Sequence, residues 1–304
     1  MTYDAIIVGG SFAGLTAALQ LGRARRRVLV LDAGRPRNRF AAHAHGVLAQ
    51  DGRPGADILV TAAQQLRAYP SVSLQQATVS SAEPGGAGFS VQTEAGARFE
   101  GRRLLLATGV ADVLPELPGL RERWGRSVLH CPYCHGYEIG GGAIGVLAAG
   151  PMSAHQASLV AEWGEVTLFT QGLVELDEEA RALLARRRVT VEASPVLALE
   201  GAAPALDGVR LQDGRLVALR ALFVGMGVRI TSPLAGQLGC ALNDTPLGPV
   251  LRTDAWKLTS VPGVYAAGDL ARAPHSISFA CADGAAAGIG LHQNLVAEDA
   301  QHGG

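Results

Sequence analysis

Tyr3-Asp4-Ala5-Ile6-Ile7-Val8-Gly9-Gly10-Ser11-Phe12-Ala13-Gly14 is the stretch on which the fold turns. Its first half is a β-branched apolar run that reads as a strand, and its second half is a glycine turn. Leu15 to Leu21 is apolar at helical spacing, and Arg27 to Leu31 is a second strand that ends at Asp32. The turn has the spacing G-x-G-x-x-G, with Ser11 in place of the middle glycine. Such a turn aims backbone N–H groups and a helix N-terminus at a pyrophosphate, while Asp32, 18 residues beyond Gly14, is placed to accept from a ribose hydroxyl. Gly9, Gly10, Ser11, Phe12, Ala13, Gly14 and Asp32 are therefore candidates for dinucleotide binding, an ordinary β-α turn being the plain alternative.

Outward from this unit, Asp32-Ala33-Gly34-Arg35-Pro36-Arg37-Asn38 is a polar loop and His43 to Gly52 is a second one without clear periodicity. Loops of this kind carry binding groups, which adds Ala33, Arg37, Asn38 and His45 as candidates. Phe89 to Thr93 and Arg98 to Gly101 read as a hairpin, and Arg103 to Ala107 as a separate buried strand ending at Thr108-Gly109.

The same order then repeats. Ala143 to Leu147 is a strand, Ala148 to Met152 a turn, Ala154 to Glu162 a helix and Val166 to Phe169 a strand. A hairpin around Asp213-Gly214 and a closing strand, Ala221 to Val224, complete the second unit. Beyond Asn243, a strand ending at Gly268-Asp269 and an Ala/Gly-rich helix, Phe279 to Leu295, return to the first unit. The expected architecture is α/β, with two Rossmann-like three-layer domains, the second inserted into the first: residues 1–112, then 113–245, then 246–304.

Composition agrees with this reading and removes other classes. A length of 304 residues suits two domains, and a charged fraction of only 17% suits parallel sheets buried on both faces. A formal net charge of -1 provides no basic footprint, so neither nucleic acid nor a membrane is an expected partner. The apolar stretch Ala5 to Leu21 is broken by Gly9, Gly10 and Gly14 and follows Asp4 without a preceding Lys or Arg, unlike a secretory signal. A cytoplasmic location is the expectation, and in that compartment four cysteines point to redox or metal chemistry.

Cys131-Pro132-Tyr133-Cys134 is the chemical centre of the sequence. C-x-x-C at a helix start brings two sulfurs together and lowers a thiol pKa through the helix dipole, and Pro132 favours helix initiation. His135, which titrates nearer neutrality than a carboxylate, is placed for acid–base work. Three rival readings exist. C-x-x-C-H is also the haem attachment signature, but attachment requires export. Zinc requires about four ligands and no second pair is present, so no metal is expected. The third rival is a structural cysteine pair. Cys240 and Cys281 stand in apolar surroundings and read as buried small hydrophobes. For His45 and His275, a solvated or satisfied histidine is as good a reading as a catalytic one.

Gly9 to Gly14, Ala107-Thr108-Gly109, Cys131 to Cys134 and Ala267-Gly268-Asp269, in this order, resemble the low-molecular-weight thioredoxin reductases over nearly the whole chain. Cys131-Pro132-Tyr133-Cys134-His135-Gly136-Tyr137-Glu138 and the turn Gly10 to Gly14 more closely resemble the subgroup that includes the dithiol oxidases of holomycin and gliotoxin biosynthesis. The resemblance implies bound FAD, a homodimer, Gly268-Asp269 at the FAD phosphate and ribitol chain, and Ser276-Ile277 beside the flavin ring. Ala107, Thr108 and Gly109, together with Val79, complete the candidate cofactor-binding set. Cys131 is expected to exchange with substrate, Cys134 to face the flavin, and His135 to stand where the reductases usually carry Asp.

The second nucleotide site departs from the reductase pattern. Its turn reads Ala148-Ala149-Gly150-Pro151-Met152-Ser153, with Ala for the first glycine, Ser for the terminal small residue, and Pro151 removing a backbone donor. Thr170-Gln171-Gly172 stands where that pattern has His-Arg-Arg, so the cations for a 2′-phosphate are missing. Losing two charge-assisted contacts of roughly 1.5–3 kcal/mol each weakens nicotinamide binding by orders of magnitude, and NADPH is not an expected cofactor. Arg186-Arg187-Arg188 reads as a solvated helix end. The expected chemistry is oxidation of a dithiol, either a small molecule or a thioredoxin-like protein, by way of Cys131, Cys134 and FAD to molecular oxygen. The alternatives are a reductase fed by NADPH or another donor and, in a different class, a non-enzymatic flavin- or nucleotide-binding regulator.

Overall fold

A computed structural model describes residues 2–86, 88–150 and 152–302. The chain divides into two compact units, one of residues 1–37, 56–112 and 228–304 and the other of residues 38–55 and 113–227.

In the first unit four strands run parallel in the order Val72–Gln76, Val28–Asp32, Thr2–Val8, Arg98–Leu106. Val264–Ala266 adds a fifth, pairing in parallel with Leu104, Leu105 and Leu106. The central strands among these are buried on both faces, which is why they read as continuous apolar runs. Ala5, Ile7, Val28, Val30 and Leu105 pack into one core with the helix Phe12–Arg23 and the long helix Ile277–His302. Ile6, Val8, Leu29, Leu31, Leu104 and Leu106 alternate into a second core with Val79, Phe89 and Val91. The two helices meet closely: a Cβ on Gly284 would lie 2.1 Å from the Ala13 carbonyl oxygen.

Arg98–Leu106 is one strand, where the sequence reading expects a hairpin arm and a separate buried strand. Its first residues pair antiparallel with Gly88–Thr93, which pairs in turn with Val79–Gly85. Residues from Glu100 onward pair in parallel with Thr2–Val8, and Glu100 and Gly101 pair with both neighbours at once, so the strand runs on without a break.

The second unit repeats the plan. Thr190–Glu192, Glu165–Phe169, Ala143–Leu147, Ala221–Val224 and Val128–Leu129 form a five-stranded parallel sheet in that order. Its fifth strand comes first in the chain. Ile144, Val146, Leu168 and Phe223 face a core with Ala154, Ala157, Val160 and Leu184 of the helices Ser153–Val160 and Glu178–Arg186. Leu147, Phe169, Leu222 and Val224 face Val196, Leu199, Val209 and Leu211 of a three-stranded antiparallel meander.

The chain rejoins the first unit at residue 228, earlier than the expected 246. Val228–Arg229 pairs antiparallel with Ala111–Asp112, and Leu234, Ala235 and Leu251 enter the core of Val79 and Phe89. Residues 38–55 group with the second unit, a regrouping that the sequence does not announce. Among the described residues no helix is long and apolar enough to cross a membrane.

Candidate functional site

The first unit gathers its candidate residues at the carboxyl ends of its parallel strands. Gly9 N donates to the Leu31 carbonyl at 2.8 Å, Ala107 N to that of Val8 at 2.8 Å, and Ala267 N to that of Leu106 at 3.1 Å. These bonds set three turns side by side. Gly9 has φ +109°, and a Cβ there would fall 2.2 Å from the Ala107 carbonyl oxygen, so only glycine lets the first turn approach the strand end. Ser11 has φ -92°, an ordinary value, which explains why the middle glycine of the fingerprint is dispensable. Asp32 Oδ1 accepts from Gly10 N at 2.9 Å and so holds the turn.

The helix that begins at Phe12 has no side-chain cap and no acidic residue in its first turn. Its N-terminal N–H groups are therefore available to an anion. Beside it, the buried Thr108 hydroxyl has no partner among the described residues. An uncapped helix N-terminus and an unpaired hydroxyl at one strand end are a donor set that fits a dinucleotide.

Gly268 begins a short 3-10 turn, and Asp269 accepts from Arg37 Nη1 at 2.8 Å. Arg37 also grips Asp112 through both Nε and Nη2. The two flanking carboxylates outweigh its burial and raise its pKa further. Nothing in the local spacing of Asp112 marks it in the sequence. Ser276 caps the last helix, its hydroxyl accepting from Phe279 N at 3.1 Å, and Ile277 packs on the core of Ala13 and Ala280. Val79 is buried in the opposite core and Ala33 is half-buried after Asp32. Asn38 and His45 fall in the other unit.

In the second unit, the strand Val128–Leu129 leads through His130 to Cys131, the N-cap of the helix Pro132–Ile139, with Pro132 in its first turn. The Cys134 and Cys131 sulfurs face each other at 2.6 Å. A thiolate at this helix start lies in the positive end of the dipole. Tyr133 stands edge-on to Trp163, with ring centroids 5.7 Å apart. Burial, the largest influence on His135, lowers its pKa; Glu138 acts against that shift and His45 with it. Burial thus favours the neutral imidazole, the form that accepts a proton. His45 Nδ1 lies 3.3 Å from Glu138 Oε1 and 3.7 Å from Asp51 Oδ1.

The turn after Ala143–Leu147 is closed on itself. The Ser153 hydroxyl, from a residue 3% exposed, accepts from Ala149 N at 3.0 Å and Gly150 N at 3.2 Å. These turn N–H groups are of the kind that a dinucleotide-binding unit offers to a pyrophosphate. One turn on, the Gln156 side chain lies against Gly225, where a Cβ would be 2.6 Å from its Oε1, and donates to the His130 carbonyl at 3.3 Å. Pro151 lies outside the described residues. Arg187 is held at the end of the helix Glu178–Arg186, donating to the Ser158 carbonyl at 3.1 Å and pairing with Glu162 at 2.5 Å. Cys240 is half-buried, and burial pushes its thiol pKa up. Among the described residues no group of three or more His, Cys, Asp or Glu side chains is gathered as a metal site.

Comparison with known proteins places this arrangement. The signature of the pyridine nucleotide-disulphide oxidoreductases matches residues 3–284. A protein named thioredoxin reductase tcpT from Claviceps purpurea is 33% identical, the match spanning 97% of this chain and 95% of that one. Thioredoxin reductase sirT of Leptosphaeria maculans is 32% identical over 98% and 95%. Among solved structures, an oxidoreductase from Agrobacterium tumefaciens superposes with a TM-score of 0.93 at 47% identity, covering 97% of this chain and 99% of that one. The crystal structure of HlmI does so with a TM-score of 0.93 at 36% identity, covering 99% and 95%. With these matches, the chain belongs to the pyridine nucleotide-disulphide oxidoreductase family and is an FAD-dependent disulphide oxidoreductase of the thioredoxin reductase-like type.

Proposed function

We propose that the protein oxidises a dithiol substrate to its disulphide, with molecular oxygen as the final acceptor and without NADPH. The observation that carries this reading is Ser153: its hydroxyl occupies the turn N–H groups on which a nicotinamide dinucleotide would rest. Thr170-Gln171-Gly172, with no cation for a 2′-phosphate, supports it.

In this reading the helix N-terminus at Phe12, the turn Gly9 to Gly14, Asp32, Thr108 and Gly268-Asp269 hold FAD in the first unit. FAD, when bound, supplies a two-electron acceptor and the place where oxygen is reduced. The protein's own groups perform the sulfur chemistry. A substrate thiolate attacks Cys131 of the Cys131–Cys134 disulphide, forming a mixed disulphide and leaving Cys134 as thiolate. The second substrate thiol displaces Cys131, which releases the oxidised substrate and leaves both enzyme sulfurs reduced. Neutral His135 takes a thiol proton in the forward direction and returns it in reverse. The reading carries with it a cytoplasmic homodimer, which follows from the family resemblance and the redox-active use of cysteine.

A second reading, reduction of a thioredoxin-like protein by NADPH, is favoured by the names of the relatives tcpT and sirT. Anaerobic mixing separates the two. Dithiothreitol is expected to bleach the flavin, with colour returning in air, whereas rapid bleaching by NADPH would overturn the oxidase reading.

A further inference from the structure

The loop of residues 43–52 reaches the helix that carries the cysteine pair. Ala44 bridges antiparallel to Arg53, and Asp51 Oδ1 accepts from Gly46 N at 2.8 Å, so the loop is closed at both ends. From it His45, whose side chain is only 18% exposed, sets Nδ1 3.3 Å from Glu138 Oε1. Glu138 and His135 stand three residues apart on the helix Pro132–Ile139, which puts them on one face. His135 in turn follows Cys134 directly. The sequence reading gives His45 to the cofactor and Glu138 no task.

We propose that Glu138, held by His45, is a positioning residue for His135: its carboxylate steadies the imidazolium that forms when a thiol of the pair gives up its proton. The step balances: an S–H bond breaks, an N–H bond forms on the imidazole, and the thiolate is left facing the helix N-terminus. Burial makes that imidazolium costly, so a neighbouring carboxylate decides how readily it forms. His45 competes for the same carboxylate and limits its effect. Among the described residues the charged and titratable groups facing this pair are Glu138 and His45 at His135, and Glu138, Asp51 and His43 at His45. The proposal rests on the cysteine pair being the working dithiol.

The test uses the FAD-loaded protein, labelled at histidine Cε1 with carbon-13, with the His135 resonance assigned through His135→Gln. Glu138→Gln removes the carboxylate charge and His45→Gln the imidazole that faces it across 3.3 Å, so a merely structural role predicts similar changes in the two. The electrostatic role predicts opposite ones. Proton affinity of His135 is expected to fall about two- to fivefold in Glu138→Gln and to rise by a similar factor in His45→Gln. The acid limb of flavin bleaching by dithiothreitol should move in parallel. Shifts in the same direction, or none, overturn the proposal. Bleaching by NADPH would sink the oxidase reading, yet it would leave the histidine titration readable, so the two failures are distinguishable.

Discussion

Ser153→Ala removes a single oxygen and probes the closed turn directly. That oxygen accepts two hydrogen bonds, from Ala149 N at 3.0 Å and Gly150 N at 3.2 Å. A net hydrogen bond contributes about 0.5–1.5 kcal/mol, so the pair is worth about 1–3 kcal/mol. Ala149 is exposed, and water recovers part of its bond; about 1–2 kcal/mol is therefore the expected loss. For a unit of this size that lowers the unfolding midpoint by about 3–6 °C. The variant also frees two N–H groups at a helix start, so sulfate should restore part of the lost stability in the variant and do nothing specific to the parent. Thermal unfolding followed by far-ultraviolet circular dichroism, with and without sodium sulfate against matched sodium chloride, reads both effects. A variant that melts within about 1 °C of the parent, or equal stabilisation of both proteins by sulfate, refutes the idea that this hydroxyl fills the site.

Thr108→Val removes a buried hydroxyl that has no partner among the described residues, so the apoprotein should be as stable or slightly more so, while FAD affinity measured by fluorescence titration falls about three- to tenfold. Gly284→Ala would push a methyl to 2.1 Å from the Ala13 carbonyl oxygen and force apart the two helices beside the glycine turn. Overpacking of this kind costs about 1–3 kcal/mol or more, and weaker FAD retention should accompany the lower urea midpoint. Asp283 is 2% exposed and pairs with Arg272 at 2.7 Å and Lys257 at 2.7 Å. Its burial would raise its pKa, but the hydrogen bonds from Arg272 and Lys257 prevail and lower it. A depressed carboxylate pKa contributes stability that is fully present above the unfolded value, about 3.9, and is lost as pH falls through the folded one. Asp283→Asn should therefore destabilise strongly at pH 7, by about 3–5 kcal/mol, and flatten the acid side of the stability curve.

How much of this is legible in the sequence depends on which interactions decide each part. The central strands are legible because residues such as Ile6 and Ile7 are buried on opposite faces, so every position is apolar. Val72–Gln76 escapes notice because it is an edge strand whose last four residues are exposed, and Thr190–Glu192 because it has three residues. The glycine turn, the cysteine pair and Asp269 are local patterns and can be read directly. The contact of His45 with Glu138 is not legible, because a loop's destination is set by long-range packing, which no local pattern records. Ser153 reads only as a replacement of the terminal small residue; that its hydroxyl fills the turn is a matter of one rotamer. Glu138 had a usable signal, its three-residue spacing from His135 on a helix.

Chain order in the second sheet has a consequence for biosynthesis. Val128 and Leu129, the strand that delivers Cys131, take their place in the sheet by pairing with Leu222 and Phe223, far downstream. At about 5–20 residues per second, the ribosome needs roughly 5–20 s to make that partner. Through this interval the nascent cysteines have no sheet to anchor them, and they meet the redox buffer of the cell before the fold can shelter them.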